Sequence, residues 1–249
     1  VQGFLQGQFS NDINALEEGF VQLNAYCQHQ GKIMVLIWVM KKSEAYYLSF
    51  PQDLSEKVVK KLTMFKMMSD VEIVDVSDKI VQLGVTNEDF DGSFSLNDQQ
   101  SVVLTGSVDG FELADETHWE KACIDNEVAE VSLITSEKFV PQLLNLDIDE
   151  VGVSFTKGCY PGQEVVARLH YLGKSKRRMR AFECDGEATV GDELIVANST
   201  SAKASGMVVR CVKLESKSLC LATVEVAYED DEIALNNAQH TKLTKTHND

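Results

Sequence analysis

The run Lys157-Gly158-Cys159-Tyr160-Pro161-Gly162-Gln163-Glu164, followed by Arg168, holds the side chains best suited to chemistry. Two glycines and a proline around one cysteine make a turn whose backbone can come close to a ligand. Lys157 beside it favours a thiolate, because a neighbouring cation lowers a thiol pKa from its free value of about 8.5. Cysteines in proteins are mostly small buried hydrophobes, so reading Cys159 as a reactive group rests on its company. Between residues 157 and 180 stand seven cations, Lys157, Arg168, Lys174, Lys176, Arg177, Arg178 and Arg180, against Glu164 alone. In a chain of formal charge −16 that concentration points to an anion-binding surface, for phosphate or carboxylate. Glu164 and Arg168 read equally as an i,i+4 pair on a helix opening after Gly162, worth a few tenths of a kcal/mol.

The elements that must position this loop come from a chain of 249 residues, 44% apolar and 25% charged, long enough for two or three globular domains. The acidity argues against wrapping duplex nucleic acid over a broad surface but leaves room for a local contact. Six scattered cysteines without a Cys-x-x-Cys pair give neither a disulfide framework nor a zinc or resident iron-sulfur signature. A reducing, cytoplasmic compartment is their simplest home. The longest apolar run, residues 33–40, is far too short to cross a membrane, and no signal peptide is visible. Val1 lies so near Phe4-Leu5-Gln6-Gly7-Gln8 that the natural start is expected to precede it.

Ser10, Asn11 and Asp12 cap a short helix before Ile13 and Leu16. Strands are expected at 21–27, 32–40, 45–50, 71–76, 101–105 and 110–113 from their Val, Ile and Tyr content. Helical spacing of Leu54, Val58, Leu62 and Phe65 predicts a helix starting near Asp53, with Met64, Met67 and Met68 filling core at its end. Residues 87–100 read as a loop and 116–123 as a helix. From Arg180 onward short β segments at 180–184, 193–196, 207–214 and 219–228 predict a small antiparallel barrel or sandwich, with a polar, mobile tail from Asn236. Residues 174–178 sit at the entrance to it.

Phe4-Leu5-Gln6-Gly7-Gln8 with Asp12, Gly31-Lys32-Ile33, Phe139-Val140-Pro141-Gln142 with Asn145-Leu146, and the run 157–164 with Val166-Ala167-Arg168 resemble the YgfZ family. These folate-binding proteins are related to the aminomethyltransferase of glycine cleavage, and the likeness spans residues 4–180. The resemblance implies a multi-domain α+β aminomethyltransferase-like fold around a central opening, closed by a small C-terminal antiparallel β-barrel. It divides the chain into 1–78, completed by 140–173, then 79–139 and 174–249. It also implies tetrahydrofolate or a one-carbon derivative as cofactor, with Trp119 at the ring and Gly158, Tyr160, Gly162, Gln163, Glu164 and Arg168 lining the site. An indole offers a flat face to a pterin. Trp38, within an apolar strand, is assigned to the core. The acid that the aminomethyltransferases place near the reacting folate nitrogen has no counterpart at residues 31–40.

Three functions follow from these readings. The first is a folate-binding accessory protein that supports synthesis or repair of iron-sulfur enzymes, and thereby tRNA methylthiolation, with Cys159 and Lys157 as the chemical groups. Its partners would be folate and iron-sulfur enzymes or assembly factors, with tRNA contact through Lys174, Lys176, Arg177 and Arg178, no membrane and no bound metal. The second is a tetrahydrofolate-dependent aminomethyl transferase, which needs a proton-relay acid. The third is a non-catalytic RNA- or protein-binding platform regulated by folate. His118 and His170 read as packed or solvated side chains.

Overall fold

Strands β1 (Val21–Cys27), β2 (Ile33–Lys42) and β3 (Ala45–Ser49) form an antiparallel sheet in that order. The computed structural model describes residues 1–88, 90–199 and 204–246. Residues 33–40 are continuously apolar because β2 is covered on both faces, which removes the alternation of a half-solvated strand. On one side Ile33 and Leu36 join Leu23, Ala25 and Cys27 of β1 in the central core. On the other, Val35, Ile37 and Val39 pack with Leu5, Phe9 and Ile13 of the N-terminal segment. That segment holds helix α1 (Gln2–Gln6) and a 3-10 turn (Ile13–Ala15) capped by the Asp12 side chain.

Helix α2 (Ser55–Phe65) closes the same face with Val58 and Leu62, as its spacing predicts. The methionine stripe runs past that buried face. Met64 is 63% and Met67 88% exposed, so neither fills core, and the side chain of Met68 lies outside the described residues. Residues 71–76 form no strand; Ile73 packs on the core, but the segment has no ladder partner. A three-stranded sheet follows, β4 (Val81–Thr86), β5 (Phe94–Asn97) and β6 (Gln100–Thr105), in the order β4-β6-β5. Strand β5 lies within the polar stretch read as loop, held by the buried Phe94 and by pairing with β6. The strand expected at 110–113 is a loop instead. This sheet docks on the first through Met40, Phe94 and Val102, and by a bridge between Phe20 and Ser95.

Helix α3 (Glu116–Asp125) starts at Asp115, whose side chain accepts from the Thr117 amide at 2.8 Å. Helix α4 (Gln163–Leu172) opens at Gly162, and the remaining strands close a barrel in the order β10-β7-β12-β11-β8-β9. They are β7 (Arg177–Cys184), β8 (Glu193–Val196), β9 (Gly206–Lys213), β10 (Ser218–Glu225), β11 (Ile233–Leu235) and β12 (Lys242–Lys245). Phe182, Val208, Cys220, Leu235 and Leu243 fill its interior. The polar tail therefore has a structural role through residue 245, since β12 pairs with both β7 and β11. The architecture is α+β with a C-terminal closed antiparallel barrel. Among the described residues no helix is long and apolar enough to cross a membrane.

Candidate functional site

The motif loop alternates buried anchors with exposed backbone. Lys157 is 9% and Tyr160 6% exposed, while Gly158 and Cys159 between them face solvent. The Lys157 ammonium donates to the carbonyls of Gln6, Phe9 and Asn11 at 2.7, 2.6 and 2.9 Å. It lies 5.4 Å from the centre of the Tyr160 ring. Burial draws its pKa down to about 8, with the Asp12 carboxylate pulling the other way. The sequence pairs this lysine with the Cys159 thiol; the structure commits its three donors to the N-terminal segment, so its observed work is to fasten that segment to the loop. Gln6 tightens the same knot, donating to Asp12 at 2.8 Å and accepting from the Ile13 amide at 2.8 Å.

Gly162 has φ +86, and a side chain there would collide with the Gln28 carbonyl oxygen in the turn between β1 and β2. Only glycine combines that left-handed conformation with so close an approach. The collision explains why Gly31, at φ +73 in the facing turn, belongs to the same pattern. Gln142 holds α4 from the side, donating to the Val166 carbonyl at 2.9 Å. Gln163, Glu164 and Arg168 follow on α4, the last two exposed. Among the described residues no ion pair joins Glu164 to Arg168.

Beneath the loop Cys27 is fully buried, and burial pushes its thiol up to about 12, with Lys61 partly opposing. The folded-state pKa exceeds the ordinary value of 9.0, so the proton is held more tightly in the folded chain. The contribution is complete below pH 9.0 and is lost as pH rises toward 12, at about 1.4 kcal/mol per unit. Lys157, with its pKa lowered, works in the opposite sense over an overlapping window. Urea denaturation of the parent and Cys27→Ala at pH 8 and near pH 10.5 isolates the thiol. The parent is expected to lose about 2 kcal/mol more than the variant over that interval, and equal losses would refute the assignment.

A cavity of about 690 Å³ lies elsewhere, between β4, α3 and the barrel. Its walls include Trp38, Gly84, Phe111, Trp119, Glu130 and Arg210. Trp119 packs edge-on against Trp38, ring centres 6.0 Å apart, and lies on the backbone of Gly84, where any side chain would collide with the indole. Arg210 is 5% exposed and grips Glu120 with two bonds of 2.8 Å, adding a third to the Val128 carbonyl at 3.1 Å. Burial works against its charge, but the Glu120 hydrogen bonds outweigh that and its pKa is raised. Glu130 is exposed to the cavity yet crowded by protein, and this desolvation raises its pKa, with Arg210 partly opposing.

Of the residues expected at a cofactor, only Trp119 lines this cavity. Gly158, Tyr160, Gly162, Gln163, Glu164 and Arg168 do not, and neither does Cys159. Trp38, assigned to the core, is part of the wall. Glu130 and Arg210 were not singled out from sequence; each is a lone charge in an apolar stretch, 128–131 and 207–212, and that isolation is the signal that could have found them. Three of the seven cations of the basic segment are held in ion pairs. Arg177 pairs with Glu225, Arg178 with Asp147 and Arg180 with Glu229. Among the described residues no three His, Cys, Asp or Glu side chains are grouped to hold a metal ion.

No protein-family model matches the chain. An uncharacterized protein of Haemophilus influenzae is 31% identical over 223 residues, 85% of this chain and 78% of that one. The tRNA-modifying protein YgfZ of Colwellia psychrerythraea is 27% identical over 209 residues, 71% of this chain and 64% of its own length. That of Photobacterium profundum is 27% identical over 218 residues, 76% and 65%. The chain thus covers slightly less than two thirds of these two YgfZ proteins. The crystal structure of the glycine cleavage system aminomethyltransferase T from Bartonella henselae superposes with a TM-score of 0.68 at 11% identity, over 99% of this chain and 80% of that one.

Proposed function

Because this chain belongs to one family with the Haemophilus influenzae protein, within the superfamily that joins YgfZ to the aminomethyltransferase fold, we propose that its tryptophan-walled cavity binds tetrahydrofolate or a one-carbon derivative. The observation that carries this reading is the pairing of Trp119 with Glu130 in one cavity of about 690 Å³, a size ordinary for a small-molecule site. A pterin is a flat ring edged with N–H donors. The indole suits its face, and a partly desolvated carboxylate suits its donors.

The remainder of the lining bears on how such a ligand would lie. Glu88, Glu112, Asp115 and Glu116 stand along the cavity, and Arg210 in its wall is taken by Glu120. The walls fit the ring end, whereas among the described residues they offer no unpaired Lys or Arg to a glutamate tail, which is therefore directed outward into solvent. Trp119 and Trp38 would report binding by fluorescence. Tetrahydrofolate is expected to quench saturably, Glu130→Gln to weaken binding roughly tenfold or more, and Trp119→Phe to remove most of the signal. A tail-less tetrahydropterin should bind no more weakly. Absence of saturable quenching overturns the reading.

At the finer level the protein is an accessory factor for iron-sulfur enzymes that modify tRNA, with Cys159 as its outward-facing group. The similarity to tRNA-modifying YgfZ proteins supports the tRNA side of this reading, and the solvent exposure of Cys159 supports an outward-facing thiol. Since the thiol does not line the cavity, its work is directed at a partner rather than at the bound ring. Cys159→Ser should fail to restore tRNA methylthiolation in a deletion strain, and full restoration would remove the thiol from the account. Glu130 gives specific support to a second reading, the aminomethyl transferase, because it supplies an acid with a raised pKa inside the cavity. Release of a one-carbon product from methylene-tetrahydrofolate and a small amine at catalytic rates, lost in Glu130→Gln, would favour it.

A further inference from the structure

We propose that the exposed surface formed by the end of α4 and the start of β7 is a docking surface for single-stranded RNA. Three cations lie along it, Arg168, Lys174 and Lys176, all exposed and, among the described residues, without an ion pair. They are what remains of the basic segment once Arg177, Arg178 and Arg180 are bound to Glu225, Asp147 and Glu229. Tyr171 is 66% exposed in their midst. Its position is fixed by local geometry: Arg168 and Tyr171 are three apart on one helix and so share a face, and the chain leaves that helix directly toward Lys174 and Lys176.

The tyrosine is also braced. His170 stacks on Phe155 with ring centres 3.7 Å apart, and both rings meet Tyr171 edge-on, at 4.9 and 6.0 Å. Asp147 lies 4.0 Å from His170 while engaged with Arg178, which ties the aromatic group to the barrel. A supported, exposed aromatic ring with exposed cations three residues before it and three and five residues after it is the arrangement that receives an unstacked base and its flanking phosphates. The acids nearest in the chain are Glu164 on the same helix and Asp149 and Glu150 just after Asp147; the chain as a whole carries −16, so its surface elsewhere repels an anionic polymer and steers it here. A duplex hides its base faces, so the chemistry favours single strands and loops. Leu172, 83% exposed, would suit a protein partner, but it is the one large aliphatic side chain exposed among residues 168–176, against three cations.

Fluorescence anisotropy of the intact protein with a short labelled oligoribonucleotide, its duplex and an unmodified tRNA transcript tests the proposal. Single strand and tRNA are expected to bind at about 50 mM salt, with the log–log salt slope near −2 that three phosphate contacts give. The triple variant Arg168→Ala/Lys174→Ala/Lys176→Ala should flatten that slope. Tyr171→Ala should weaken binding roughly tenfold and Tyr171→Phe should restore it, whereas Lys213→Ala/Lys242→Ala, at exposed lysines elsewhere, should change nothing. No binding at low salt, a slope unchanged in the triple variant, or Tyr171→Ala equal to the parent overturns the proposal, including where a protein partner is found on this face instead. Folate titration of the same variants should be unaffected, so this test and that of the cavity succeed or fail separately.

Discussion

Replacing Lys157 by Met is expected to lower the unfolding free energy by about 3–5 kcal/mol, while Cys159→Ser changes it by no more than about 0.5 kcal/mol. Methionine keeps a stem of the same four atoms, with sulfur in place of Cδ, and deletes the ammonium. Three carbonyls, on Gln6, Phe9 and Asn11, then lose their donor in a place water does not reach easily. Each such unsatisfied group costs about 1–3 kcal/mol, and partial rearrangement keeps the total below their sum. For a chain of this size the loss corresponds to a fall in Tm of roughly 10 °C. Urea denaturation of both variants checks it; a loss under about 1 kcal/mol for Lys157→Met would mean that water replaces the ammonium. The consequence for function is direct. Activity lost in a Lys157 variant would report a detached N-terminal segment before it reported anything about the Cys159 thiol.

Lys157 also illustrates what sequence can and cannot convey. The turn residues around Cys159 announce an exposed loop, because glycine and proline act through their own backbone, and the loop is exposed. The direction of the lysine is invisible, since its partners lie about 150 positions earlier in the chain. The same division runs through the fold. Helix α2 and strands β1, β2 and β9 declare themselves by periodicity or continuous apolarity. Residues 71–76 carry the same signal without a strand because pairing requires an edge that no local pattern encodes. Strand β12 was hidden for the opposite reason: a four-residue strand with Leu243 as its one buried side chain is too short to show alternation. In the candidate site Trp119 was legible through family resemblance alone. Gly84, beneath its ring, and Glu130 beside it belong to segments whose meeting is a matter of tertiary packing.

Arg210→Met is expected to cost about 3–5 kcal/mol and to abolish folate quenching as well. The guanidinium reaches from β9 to Glu120 on α3 and to the Val128 carbonyl beyond it, so one side chain fastens the barrel to the helix that carries Trp119. Removing it leaves the Glu120 carboxylate, whose side chain is 23% exposed, without its partner, and that stranded charge is the larger part of the penalty. Arg210→Met/Glu120→Leu removes both charges and should recover much of the stability, because two apolar groups need no compensation. Ligand binding separates the structural role from the local one. If the pair matters only by holding α3 in place, the double variant regains folate quenching together with stability. If the charges themselves shape the ligand site, stability returns and quenching does not. The aromatic wall and Glu130 persist in both variants, so the expected outcome is recovery of each. Loss below about 1 kcal/mol in the single variant would show that α3 is held by apolar packing, through Ile124 in the central core.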